Sequence, residues 1–169
     1  MHFLREAGIN NLFVGHYHFG LQFIILSLFY RSLFLQKQKK MVVVIIAVVF
    51  TVLFGYYIIN PEMYVEFNLI DVFITTVPLI FFSILYLYNT LTKPEKHFVL
   101  NAALLMYLST SALLFFLGTY IHAEGELLGL SIDTAFNIWI INNTIYLIFL
   151  IFLIVEWHKT LYKWKTRNS

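Results

Sequence analysis

The chain has 169 residues, of which 60% are hydrophobic, 19% aromatic and only 12% charged, with a formal net charge of +2. Soluble domains carry about 25% charged residues and cannot hide this much apolar side chain in one core, so the composition points to a hydrocarbon environment. With no cysteine, disulfides, iron–sulfur clusters, zinc–thiolate centres and thiol nucleophiles are excluded, and no basic stripe with interleaved aromatics offers a surface to nucleic acid.

Five apolar segments follow one another, at 16–35, 41–59, 67–89, 98–121 and 134–157. Each is long enough to cross a hydrocarbon layer of ~30 Å, which takes about 20 helical residues. Helices are the expected form, because an open sheet in lipid leaves backbone groups unpaired, and no segment shows the alternation of a barrel strand. The expected fold is therefore an all-α polytopic transmembrane bundle of five spanning helices, a single domain over 1–157 with a basic tail at 158–169. The opening "MHFLREAGINN" lacks the basic run, short apolar core and cleavage site of a signal peptide, so the first segment is expected to remain as a span.

The first segment opens on "GHYHF". Residues two apart on a helix point about 200° away from one another, so His16 and His18 cannot grip one metal from the same face. His18 shares its face with Gln22, and His16 with Gly20, Ser27 and Arg31. Interfacial hydrogen bonding is the simpler reading of both histidines, and a metal or haem role, with His122 at the same level, the sharper one. The link "QKQKK" (36–40) closes this segment, and "NPEMYVE" (60–66) follows the second.

In the third segment Asp71 is the one acid placed to enter the apolar part of a helix. Acids at membrane depth face a bundle interior, a partner or a water-filled cavity. Pro78, two turns later, leaves a carbonyl free and is expected to kink the helix, with Thr75 able to bond back to the backbone. After the link "TLTKPEK" (90–96), the fourth segment puts Asn101, Ser109, Ala112 and Thr119 on one stripe, a pattern that lets helices approach closely. The link "HAEGELLGLSID" (122–133) precedes the fifth segment. There Trp139, Asn142, Asn143 and Tyr146 share a broad face, with Asn142 about 12 Å along the helix from Thr134. Adjacent asparagines at that depth read as interhelical glue or as part of a ligand pocket.

Ten of the eleven basic residues fall in the first and third links, their flanks and the tail, whereas the second and fourth links carry Glu62, Glu66, Glu124, Glu126 and Asp133. The positive-inside rule then sets an outside N-terminus and a cytoplasmic C-terminus, in a bacterial inner membrane. Tyr56, Tyr57, Tyr64, Tyr120, Trp157, Tyr162 and Trp164 lie near segment ends, as expected of an interfacial aromatic belt.

Phosphate-binding glycine loops, HExxH and GxSxG are absent, and the links are too short for a soluble catalytic domain, so an enzyme is not expected. The leading expectation is a sensor or small-ligand-binding bundle, with an outward-facing pocket formed by His16, His18, Gln22, Asp71, Asn142, Asn143 and Tyr146, and without metal or cofactor. A small transporter or channel subunit is the rival, and a structural assembly subunit the third reading. The expected partners are the lipid bilayer and either further copies of the chain or another membrane subunit.

The stretches "NNLFVGHYHFGLQFIILSLFYRSLF", "NAALLMYLSTSALLFFL" and "NIWIINNTIYLIF" resemble a family of multi-pass inner-membrane proteins of Bacteroidetes-type bacteria, over most of the chain. Its members carry a His-Tyr-rich start to one helix, then an acidic residue and a "LLSLFY" run, an Asn-led helix and a "W-I-x-N" helix. Where members have a glutamate this chain has Gln22, which removes an intramembrane charge. Members begin with two further spanning helices, so the resemblance implies a shortened member or a bundle completed by oligomerising. It implies a fold and a polar pocket, and lends no activity.

Overall fold

The computed structural model describes residues 13–65, 68–91, 97–128 and 132–167; the side chains of Phe13, Val65, 118–136, 138–139 and 160–167 are not among those described. Five α-helices follow in order: α1 Phe13–Leu33, α2 Gln36–Ile59, α3 Leu69–Thr90, α4 Phe98–Leu128 and α5 Ile132–Arg167. A single 3-10 turn, Pro61–Val65, lies between α2 and α3. Among the described residues there is no strand, and the all-α expectation holds.

Four of these helices are long and apolar enough to cross a membrane, over Gln36–Ile59, Leu69–Thr90, Phe98–Leu117 and Ile140–Lys159. The described side chains of the first helix, with His16, His18, Gln22 and Arg31 among them, do not add a fifth. The described residues thus hold four candidate spans where the sequence suggests five.

Several boundaries differ from the sequence reading for one physical reason. Lysine and glutamine are good helix formers, so a polar run next to an apolar one need not break a helix. "QKQKK" is accordingly the start of α2 and not a link, and the chain turns at Phe34 and Leu35 alone. Gln38 steadies that turn by accepting the Leu35 N–H, at 3.3 Å. The 24 residues of α2 reach about 36 Å, which lets its lysines stand beyond a ~30 Å hydrocarbon layer. In the same way α4 continues to Leu128, into the expected fourth link, and α5 runs through the basic tail to Arg167. True stops carry recognisable chemistry. α2 ends at Asn60–Pro61, with the Asn60 backbone and side-chain N–H groups both donating to the Tyr56 carbonyl. The expected placements of Glu66, Lys93 and Lys96 lie outside the described residues, as do the side chains of Thr119, Tyr120, His122, Glu124, Glu126, Asp133, Trp139, Tyr162 and Trp164.

The chain forms two units that divide within α3, between Phe82 and Ser83. In the first, α1 folds back on α2 through the two-residue turn. Phe23 and Phe50 meet across the pair at 6.1 Å between ring centroids. At the turn end Tyr30, Phe34 and Phe82 form an aromatic cluster with centroids 5.9–6.2 Å apart, all three rings buried. Within α3 the Thr75 hydroxyl bonds back to the Asp71 carbonyl at 2.6 Å. It therefore does not serve Ile74, the carbonyl that Pro78 leaves without its donor.

In the second unit the rest of α3 packs against α4 through a reciprocal polar pair. The Ser83 hydroxyl donates to Asn101 Oδ1 at 3.0 Å, and Asn101 Nδ2 donates to the Ser83 carbonyl at 3.1 Å. Both residues are fully buried. The interhelical glue found among the described residues is therefore Asn101, a residue of the expected packing stripe. α4 joins α5 through Tyr107, whose ring stacks on Phe149 at 5.2 Å and meets Tyr146 at 5.4 Å, and through His97 Nδ1 and Glu156 Oε1, 3.1 Å apart. Only 6% of the apolar window of α5 is buried, so nearly its whole circumference faces outward, as a lipid-solvated helix does.

Removing either side of the Ser83–Asn101 pair leaves a polar atom dry. In detergent-micelle unfolding, Ser83→Ala and Asn101→Ala are each expected to destabilise, and a double-mutant cycle to give a coupling of about 0.6–1.7 kcal/mol, the range for interhelical bonds in membrane bundles.

Candidate functional site

Asp71 is the third residue of α3 and so lies in its first turn, where unpaired backbone N–H groups and the positive end of the helix dipole favour a carboxylate. Asn68 starts the helix by accepting the Ile70 N–H on its side-chain oxygen, at 2.9 Å. This end of α3 meets the end of α2 and the beginning of α1. The Tyr57 hydroxyl donates to Asp71 Oδ2 at 2.5 Å, and the same oxygen accepts from His16 Nδ1. Tyr57 and His16 also approach each other, with the hydroxyl 2.8 Å from Nδ1. The three groups form a triangle on one carboxylate oxygen. The side chains of Asp71 and His16 are 4% and 9% exposed, which places the pair out of water.

Tyrosine rings enclose the pair. His16 stacks on Tyr64 of the 3-10 turn, at 5.5 Å and 18°, and meets Tyr57 edge-on at 5.4 Å. Tyr17, the neighbour of His16, bonds Tyr64, hydroxyl to hydroxyl, at 2.5 Å. That bond raises the pKa of the Tyr64 hydroxyl above the ordinary tyrosine value.

The triangle leaves three buried atoms without a hydrogen-bond partner among the described residues: His16 Nε2, Asp71 Oδ1 and Asn68 Nδ2. Buried polar atoms are nearly always paired, so an unsatisfied set around one carboxylate marks a place where a further group belongs. Beside it lies a cavity of about 380 Å³ lined by His16, Tyr17, Gly20, Phe50, Leu53, Phe54, Tyr57, Tyr64, Asp71 and Thr75. That volume falls in the range of small-molecule sites, about 300–1,000 Å³. Gly20 contributes open space, since a Cβ built there meets nothing within 4 Å.

Of the seven residues expected to form a pocket, the structure brings His16 and Asp71 together. His18 is exposed on the opposite side of α1 with its ring against Phe19, and Gln22 is half-buried; neither lines the cavity. Asn142, Asn143 and Tyr146 belong to α5, in the second unit. Asn143 is exposed, Tyr146 packs on Tyr107, and Asn142 is half-buried with its Oδ1 unpartnered among the described residues. The sequence reading took Tyr57 and Tyr64 for belt residues and passed over Tyr17 and Asn68. Their level was legible: in three successive antiparallel helices the start of the first, the end of the second and the start of the third share one end. No group of three or more His, Cys, Asp or Glu side chains that could hold a metal occurs among the described residues.

Comparison with protein-family models, with curated proteins and with solved structures finds no match for the chain.

Asp71→Ala leaves His16 and Tyr57 facing an empty position. It is expected to cost about 3 kcal/mol in denaturant unfolding, against about 1–2 kcal/mol for Tyr57→Phe, which removes one donor only. Gly20→Ala, which meets no neighbour, is expected to stabilise by about 0.5–1 kcal/mol in the same assay.

Proposed function

We propose that the chain is a non-enzymatic, multi-pass protein of a bacterial inner membrane that binds a small ligand in the cavity of its first unit, as a sensor or receptor does. The observation that carries this reading is the buried His16–Asp71–Tyr57 triangle with unsatisfied atoms on a carboxylate and an imidazole, next to a cavity of about 380 Å³. A triangle that served only to hold helices together would close on itself and leave no open volume. α1 completes a five-helix count, its polar start explained by the site it carries. The lysine distribution supports a cavity on the side away from the lysine-rich ends, with the C-terminus cytoplasmic. The outward faces of α5 meet lipid, a second copy of the chain or a partner membrane subunit, to which occupancy would be relayed. A transporter needs polar groups continuing towards the other face, and the cavity lining supplies none beyond Thr75.

The chain offers a cysteine-free background, and Gly20 a position where a side chain fits. In sealed vesicles of defined sidedness, Gly20→Cys is expected to react with a membrane-impermeant maleimide from the outer side only. Reaction from both sides would establish a transport path instead, and reaction from neither would make the triangle structural.

A further inference from the structure

The chemistry of the unsatisfied atoms defines what the cavity accepts. Asp71 Oδ2 already takes two donors, the Tyr57 hydroxyl and His16 Nδ1, and this is the arrangement of an ionised carboxylate. Its second oxygen, Oδ1, is an acceptor without a donor among the described residues. His16 Nε2 is likewise buried and unpartnered, an acceptor in the neutral ring and a donor in the protonated one. The unmet acceptor on the carboxylate calls for a ligand that donates a hydrogen bond.

Charge narrows the choice. No lysine or arginine lines the cavity, and the carboxylate has only His16 and Tyr57 as side-chain partners among the described residues. A cationic donor would make charge-assisted bonds there, whereas an anion would meet the carboxylate unshielded. The walls agree, since the faces and edges of Tyr17, Tyr57, Tyr64, Phe50 and Phe54 line the same space. Aromatic faces attract cations through the ring quadrupole and offer apolar contact to the rest of a small molecule. A metal ion is the poorer fit, because one imidazole and one carboxylate fall short of the three or more protein ligands that metal sites use.

We propose that the cavity binds a small primary ammonium ion with an apolar body, its N–H groups donating to the Asp71 carboxylate and its charge facing the tyrosine rings. Asp71 Oδ1 is covered in the empty site, so binding turns the carboxylate about its terminal torsion, which is broad and soft. This assignment rests on the ligand-binding reading above and fails separately from it.

The test is protection of Gly20→Cys from maleimide in dodecyl maltoside at neutral pH, with benzylammonium, benzyl alcohol and benzoate as probes of one shape and three charges. Benzylammonium is expected to half-protect at a concentration at least about tenfold below that of benzyl alcohol, the factor for a charge-assisted bond of about 1.5 kcal/mol, with benzoate weakest. Asp71→Asn is expected to erase that preference. Should Asp71→Asn not fold, Tyr64→Leu, at an exposed position outside the spans, is expected to weaken benzylammonium about three- to tenfold through loss of a cation–π face. Stronger protection by benzyl alcohol or benzoate overturns the ammonium assignment and leaves the pocket standing. Protection by none of the three overturns the assignment as well. A cysteine that never labels overturns the pocket itself. Ethanolamine headgroups carry the same ammonium, so labelling is repeated in phosphatidylethanolamine and phosphatidylglycerol nanodiscs. Protection without added amine in the former alone identifies the lipid as the source, and equal labelling in both identifies a soluble amine.

Discussion

A carboxylate in the first turn of an apolar helix has to be satisfied from its surroundings, and in this chain that requirement organises the first unit. The α3 terminus offers Asp71 backbone N–H groups and a favourable dipole, but these do not neutralise a side chain removed from water. The remainder comes from two helices at once, a hydroxyl from the end of α2 and an imidazole from the start of α1. Three helix termini are thereby fixed to one another at one oxygen atom. The packing below them is aromatic and undirected, and without the triangle it would set the helices' depth only loosely. The tyrosines around the pair give it a low-dielectric wall, in which a charge-assisted bond is stronger and an unpaired atom more costly.

The second unit solves the same problem with neutral groups. Ser83 and Asn101 exchange hydrogen bonds until neither retains an unmet donor or acceptor of consequence, and no charge is involved. The contrast is informative. The Ser83–Asn101 pair closes on itself, whereas the triangle of the first unit leaves Asp71 Oδ1 and His16 Nε2 without partners among the described residues. An unmet acceptor on a carboxylate, more than the presence of polar residues as such, separates the Asp71 triangle from the Ser83–Asn101 pair.

The apolar segments were legible because a hydrocarbon solvent demands about 20 apolar residues in a row, and that demand is written directly in composition. Their ends were not, because lysine continues a helix as readily as leucine does: "QKQKK" looks like a loop by charge and is a helix by backbone. Asp71 and His16 stood out as polar residues at the edge of apolar segments, yet nothing in a linear pattern reveals that they touch. Tyr57 and Tyr64 were hidden by ambiguity, since a tyrosine near a helix end serves the interface equally well whether or not its hydroxyl reaches inward. The asparagines of α5 were the opposite case. Asn142 and Asn143 are conspicuous in sequence, whereas Asn101, less conspicuous at the start of its helix, is the one that joins two helices.

The order of the triangle along the chain has a consequence for biosynthesis. His16 and Tyr57 are made before Asp71, so both partners are already available in the membrane when the only acid of α3 arrives. An acid at membrane depth is costly and takes a partner inside the bundle. Order along the chain thus sets the imidazole and the hydroxyl ahead of the carboxylate that they hold.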